Sequence, residues 1–131
     1  MTIELWLLCG AVVLGLVYVG AQSFAFKAQA GNAYTMGPRD EGLRPERVAG
    51  RLERALRNFV ETFPLFAAAV LMVQITGRNG MLSLVGASLY VGGRALYLPA
   101  YAFGVPYLRT ALWQVSAIGI VLVLAQLVFA G

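Results

Sequence analysis

The sequence has 131 residues, of which 60% are hydrophobic and only 12% are charged, and its formal net charge is +4. A water-soluble domain carries about 25% charged residues, so the composition argues against a soluble protein. The basic excess does not indicate a nucleic-acid partner, because the chain contains no polar domain that could carry a basic surface. The charges are also unevenly placed, and five long segments have none: 5–26, 62–77, 79–93, 95–108 and 110–131.

These uncharged segments predict membrane spans. A helix needs roughly 20 apolar residues to cross a hydrocarbon core about 30 Å thick. The predicted helices lie near 3–28, 46–76, 80–102 and 107–130, in one domain that covers residues 1–131. The segments are too long and too continuously apolar for the alternating strands of a membrane barrel. The predicted fold class is therefore an all-α membrane protein, a bundle of four transmembrane helices.

The first span is interpreted as a retained helix rather than a signal peptide. It begins with Glu4 and has no basic segment before its apolar run, which a signal peptide would have. Cys9 is the only cysteine, so an intrachain disulfide is excluded. Its place in an apolar run, far from the polar residues, predicts a buried and inert thiol.

The basic residues predict the orientation of the spans. Seven of the ten lie between residues 27 and 61, whereas the connection between the second and third spans contains only Arg78. The positive-inside rule therefore places the first and third connections in the cytoplasm and both termini on the other side. Residues 32–42 are rich in turn formers and predict a loop. Pro64 and Pro99 are predicted to lie inside helices.

The second span begins with an unusual polar stripe. At 100° per residue, its side chains fall within an arc of about 80°. A charge near the bilayer centre costs roughly 2.5–3.5 kcal/mol, so such residues face protein or a water-filled cavity and have partners. The stripe consists of Arg47, Arg51, Arg54, Asn58 and Glu61.

The third span has a polar face that matches the stripe on the second span. Its side chains fall within an arc of about 60° and are Tyr90, Arg94, Tyr97 and Tyr101. Arg109 opens the fourth span. Together these residues predict a cationic pocket for a small anionic ligand, because arginine binds carboxylates bidentately. The alternative is a purely structural network of ion pairs in an oligomer. Such a network would come nearer to charge balance. We predict no metal site.

The stretch ERALRNFVE (53–61), followed by TFPLF (62–66), resembles the signature of the MAPEG family, the membrane-associated proteins in eicosanoid and glutathione metabolism. The matching pattern is E-R-A-x-x-N-x-x-E. The resemblance extends over nearly the whole chain and includes GRALYLPAY (93–101) and the arginine that opens the fourth span.

The resemblance implies a homotrimer that packs through the second span and binds glutathione between adjacent protomers, near the cytoplasmic face. It implies that glutathione is held by Arg51, Arg54, Asn58, Glu61, Arg94 and Tyr97. It also implies catalytic roles for Arg109, which would stabilise the thiolate, and for Tyr101, the next inward tyrosine. Thr110 stands where some members have serine, and Lys27 is the only basic residue where some have several arginines.

The function predicted from this resemblance is a membrane-embedded glutathione transferase or peroxidase acting on lipophilic electrophiles. Glutathione would be the co-substrate and would supply the sulfur, so the remote Cys9 is no obstacle. In a bacterium the protein would lie in the inner membrane with its site facing the cytoplasm. Two alternatives stay open. One is a trimeric membrane protein that binds lipid, an anion or a partner complex without turnover, and the other is a lipid isomerase.

Overall fold

The computed structural model describes residues 1–130, which form five helices and no strand. The helices are α1 (Ile3–Ala30), α2 (Asn32–Met36), α3 (Arg47–Thr76), α4 (Met81–Ala102) and α5 (Pro106–Phe129). The four long helices are long and apolar enough to cross a membrane. The predicted all-α bundle of four spans is confirmed, and the protein is an integral, multi-pass membrane protein.

The four long helices run up and down, so the bundle has two distinct ends. One end, here called the basic end, carries residues 31–46 and the short connection 103–105. The other, the terminal end, carries the start of α1, the end of α5 and the connection 77–80. At the terminal end Thr2 donates to the Gln74 side chain at 2.7 Å. At the basic end, the up-and-down arrangement of the helices places the start of α3 beside the end of α4 and the start of α5.

The basic end differs from the prediction in one element. Residues 32–36 form the short helix α2 where a loop was predicted, and α1 extends to Ala30. The Thr35 hydroxyl stabilises this single turn by donating to the carbonyl oxygens of Gly31 and Asn32, each at 3.2 Å. Turn-forming residues thus supply a helical turn between two glycines, Gly31 and Gly37, rather than an irregular loop.

The protein interior has two apolar clusters. The cluster nearer the basic end is aromatic and consists of Tyr18, Ala55, Phe59, Tyr97 and Tyr101. The other is mainly aliphatic and includes Phe66, Val70, Val73, Ala87, Tyr90 and Val123. Many large apolar side chains remain exposed on the outside of the bundle, as a lipid-facing surface requires. The prediction of a buried Cys9 was wrong, because its side of α1 faces away from the bundle.

A seam of small residues brings α4 and α5 into close contact. A Cβ atom added to Gly86 would lie 2.5 Å from the Gly119 carbonyl oxygen, and one added to Gly119 would lie 2.5 Å from the Gly86 oxygen. One added to Gly93 would lie 2.5 Å from Ser116 Oγ. Small residues allow helix backbones in membranes to approach this closely. The seam therefore determines how the start of α5 lies against the end of α4.

Candidate functional site

Arginine residues line a cleft at the basic end, between α3, α4 and α5. Its volume is about 360 Å³, within the range of roughly 300–1,000 Å³ typical of small-ligand sites. This first cleft is lined by Arg51, Arg54, Tyr101, Gly104, Pro106 and Arg109. The Arg51 side chain fits against Gly104, whose left-handed backbone (φ 70°) makes the tight connection from α4 to α5.

Hydrogen bonds fix two of these arginines. Arg51 Nε donates to the Ala102 carbonyl oxygen at 2.9 Å, which ties α3 to the last residue of α4. Arg54 Nε donates to the Tyr101 hydroxyl at 3.2 Å. The guanidinium carbon of Arg109 lies 4.7 Å from the centre of the Tyr101 ring. Tyr101 therefore contacts arginines from both neighbouring helices.

A second cleft adjoins the first and has a volume of about 170 Å³. Arg109 lines both clefts, so the two lie side by side. The second cleft is lined by Asn58, Tyr97, Arg109, Thr110 and Trp113. Asn58 Oδ1 is buried and has no hydrogen-bond partner among residues 1–130. This oxygen is therefore an unused acceptor on a residue of the cleft.

The site carries positive charge that the described part of the chain does not balance. Three guanidinium groups line the first cleft, and no acidic residue does. Within residues 1–130 the sole ion pair joins Arg57 and Glu53, 3.3 Å apart on the outer surface of α3. Burying or crowding cations without anions is unfavourable, so the arrangement favours an anionic ligand.

Arg94 takes a different position from the other predicted arginines. It is 0% exposed and lines neither cleft. Its Nη2 donates to Thr62 Oγ1 at 3.0 Å, while Nε and Nη1 have no partner within the described residues. Its guanidinium carbon lies 4.8 Å from the Tyr97 ring centre and 5.8 Å from that of Tyr90. Arg94 thus lies behind Tyr97.

The remaining predicted residues lie at the edges of the site. Glu61 is exposed near the middle of α3 and lines neither cleft, and Arg47 is exposed at the start of the same helix. The clefts therefore bring together six of the eight predicted ligand-binding and catalytic residues: Arg51, Arg54, Asn58, Tyr97, Tyr101 and Arg109. The structure separates Glu61 and Arg94 from them.

Sequence reasoning missed two residues that support the site. The buried Tyr18 donates from its hydroxyl to the Arg94 carbonyl oxygen at 2.7 Å, which links α1 to α4. Thr62 contacts both the Arg94 side chain and the Tyr90 hydroxyl, the latter at 3.0 Å. Thr62 lies four residues after Asn58, on the polar side of α3, and this spacing was a usable signal. Tyr18 was visible as a tyrosine in mid-span, away from the membrane interfaces where tyrosine is enriched.

Comparison with known proteins agrees with the resemblance in the sequence. The model of the MAPEG family matches residues 3–129, which is nearly the whole chain. No curated protein and no solved structure matches the chain. On the extent of the family match, together with four membrane-spanning helices, the chain belongs to the MAPEG family.

Proposed function

We propose that the protein is a glutathione-dependent transferase or peroxidase that acts on lipophilic electrophiles within the membrane. The observation that carries the proposal is the unbalanced positive charge of the first cleft, where Arg51, Arg54 and Arg109 meet without an acidic residue. Glutathione is a small anion with two carboxylates and a thiol. Membership of the MAPEG family supports glutathione as the ligand over other anions.

The residues of the clefts suit the binding of glutathione. Arg51 and Arg54 would bind its carboxylates, since a guanidinium group offers paired donors to a carboxylate. Asn58 Oδ1 would accept a hydrogen bond from a peptide N–H of the ligand, which would give that buried oxygen the partner it lacks. Glu61 would bind the ammonium group of a glutathione molecule shared with a neighbouring protomer.

Arg109 is the candidate for thiolate stabilisation, because it lines both clefts. A free thiol has a pKa of about 8.5, and the thiolate is the nucleophile. A guanidinium group beside the sulfur favours the thiolate by charge, and the Tyr101 hydroxyl would add a hydrogen bond. In the transferase reaction the thiolate attacks an electrophilic carbon. A carbon–sulfur bond forms, and the leaving group departs with the bonding electron pair.

We propose that the protein assembles as a homotrimer through α3. Glu61 is exposed near the middle of a membrane-spanning helix, and a charge there facing lipid costs roughly 2.5–3.5 kcal/mol. A neighbouring copy, or a ligand between copies, would cover this carboxylate. Native mass spectrometry in detergent is expected to give three protomers of 14.1 kDa. A monomer that binds glutathione would contradict the shared site.

The charge asymmetry supports an orientation with the clefts at the cytoplasmic face. Most basic residues lie at the basic end, and the positive-inside rule assigns that end to the cytoplasm. Accessibility labelling of single cysteines placed at residues 37–46 and 77–80 in a Cys9→Ser background would test this. Labelling of the 37–46 positions from outside the intact cell would contradict the assignment.

The proposed activity is tested with purified protein in detergent. Millimolar glutathione is expected to raise the thermal midpoint, since a ligand that binds only the folded state stabilises it. Conjugation of a chloronitrobenzene with glutathione reports turnover. Arg54→Ala is expected to abolish the thermal shift, whereas Arg109→Ala is expected to keep the shift and lose turnover by about 100-fold or more.

Arg57→Ala is the matched control. Arg57 lies one turn from Arg54 on the same helix, but it is exposed, pairs with Glu53 and lines neither cleft. This variant is expected to keep both binding and turnover. A thermal shift without turnover in the natural sequence would favour the non-catalytic binding protein. The absence of both the thermal shift and turnover would refute the proposed function.

A further inference from the structure

The position of Arg94 requires an explanation that the cleft residues do not provide. Its side chain is completely buried in a membrane-spanning helix, and no carboxylate pairs with it among residues 1–130. Arginine keeps its charge in proteins, so burial cannot be relieved by loss of a proton. A buried charge without a partner is strongly destabilising. Such a group persists only where its surroundings stabilise the cation in another way.

The surroundings that stabilise Arg94 are aromatic. Its only side-chain hydrogen bond within the described residues goes to Thr62, and two of its nitrogen atoms have no partner. Its guanidinium group lies over the rings of Tyr97 and Tyr90, at 4.8 and 5.8 Å. The attraction between a cation and an aromatic face is strongest where both are shielded from water. The rings of Tyr97 and Tyr90 therefore contribute to stabilising the charge of Arg94, and Tyr97 is the nearer of the two.

Tyr97 connects this buried charge to the site. It lines the second cleft, which Arg94 does not reach. Its ring lies 5.5 Å from that of Tyr101, and Tyr101 in turn lies 4.7 Å from Arg109. The groups around Tyr97 include Asn58 from α3, Arg109 from α5 and the Tyr18 hydroxyl on α1. None of them carries a negative charge that would cancel the effect of Arg94.

A cation over the face of a phenol draws electron density from the ring and makes its O–H group a better hydrogen-bond donor. We infer that Arg94 is a positioning residue that acts through Tyr97, strengthening the Tyr97 hydroxyl as a donor to the thiolate in the second cleft without itself contacting glutathione. This inference rests on the proposed function and assigns Arg94 a different role from the direct contact that the family resemblance implies. It adds Tyr97 to the groups that stabilise the sulfur.

The test is a double-mutant cycle on the full-length protein with glutathione bound. The ratio of thiolate to thiol is measured from the ultraviolet absorbance of the thiolate, in Arg94→Met, Tyr97→Phe and the double variant. Arg94→Met is expected to lower this ratio by about 2- to 30-fold, the range that a cation–aromatic interaction spans. In the Tyr97→Phe background the same change is expected to have almost no effect. Arg94→Lys, which keeps the charge, is expected to restore part of the ratio.

Equal effects of Arg94→Met with and without Tyr97 would overturn the inference, as would an unchanged ratio in Arg94→Met alone. If Arg94→Met does not fold, Arg94→Gln replaces it, since its amide is neutral and reaches toward Thr62. A second measurement needs no glutathione: the fluorine resonance of fluorotyrosine at Tyr97, assigned by its loss in Tyr97→Phe. It is expected to move in the neutral variants and much less in Arg94→Lys.

The two measurements separate the two proposals. Absence of bound thiolate in the natural sequence, together with a fluorine resonance that responds to Arg94, refutes the glutathione function and retains the coupling between Arg94 and Tyr97. A fluorine resonance that ignores the charge of Arg94 refutes the coupling, whatever glutathione does.

Discussion

The seam between α4 and α5 leads to a prediction about both stability and activity. Gly86 and Gly119 face each other so closely that a Cβ atom on either would lie 2.5 Å from the other's carbonyl oxygen. A Cβ on Gly119 would also lie 2.8 Å from the Tyr90 backbone nitrogen. All of these atoms belong to the backbone, so no side-chain rotation can relieve the overlap. Gly119→Ala must therefore push the two helices apart.

The size of the effect follows from these distances. Carbon and oxygen atoms in close contact normally lie about 3.3–3.6 Å apart, so the helices must separate by about 1 Å at this point. Overpacking of this kind costs typically about 1–3 kcal/mol of unfolding free energy. The start of α5 would move with the helix, which shifts Arg109 relative to Tyr101. A displacement of about 1 Å in a catalytic group can lower the rate about 100-fold.

The assay compares Gly119→Ala with Gly92→Ala by thermal unfolding in detergent and by glutathione conjugation. Gly92 directly precedes the seam residue Gly93 in α4, but it is exposed, and a Cβ there would meet no atom within 4 Å. The control is therefore expected to be neutral or slightly stabilising, since alanine favours helix over glycine by about 1 kcal/mol. Equal thermal midpoints for the two variants would refute the steric reasoning. A destabilised Gly119→Ala with full activity would show that the seam does not position Arg109.

Two further predictions concern the ends of the bundle. At the terminal end the buried Glu4 carboxylate accepts hydrogen bonds from Asn79 and Ser83, both at 2.7 Å. Glu4→Leu would leave both donors without a partner and is expected to lower the free energy of unfolding by about 1–3 kcal/mol, measured as a lower thermal midpoint. Glu4→Gln keeps one acceptor oxygen and is expected to lower it less. Equal thermal midpoints for the two variants would contradict this prediction. At the basic end the Gln29 amide bonds to two backbone groups of the loop at 37–46, at 2.8 and 2.7 Å. Gln29→Ala is expected to increase proteolysis within that loop several-fold. Unchanged cleavage would show that the two Gln29 hydrogen bonds do not hold the loop in place.

Much of the site could be predicted from residue spacing alone. The spacing of Arg51, Arg54 and Asn58 places their side chains on one helix face whatever the neighbouring helices do, because helix geometry is local. The clefts do contain these three residues. Glu61 shares that face by the same rule, yet it lies three residues beyond Asn58 along α3 and is exposed on the outside of the single chain. Spacing describes a face of one helix and does not say which part of it another helix covers.

By itself, the sequence determined the class of the protein. Uncharged apolar runs must be membrane spans, because nothing else in a chain with so few charges could keep them from water, and arginines at the start of a span must face something polar. Only the tertiary structure decided which arginines face the clefts. Arg94 and Arg109 are both single charges at the edge of an apolar run. The packing of α4 between α1, α3 and α5 encloses Arg94 behind Tyr97, while the close α4–α5 seam and the Gly104 turn bring Arg109 over Tyr101. Such contacts join residues from different helices, so no periodicity within a single helix can specify them.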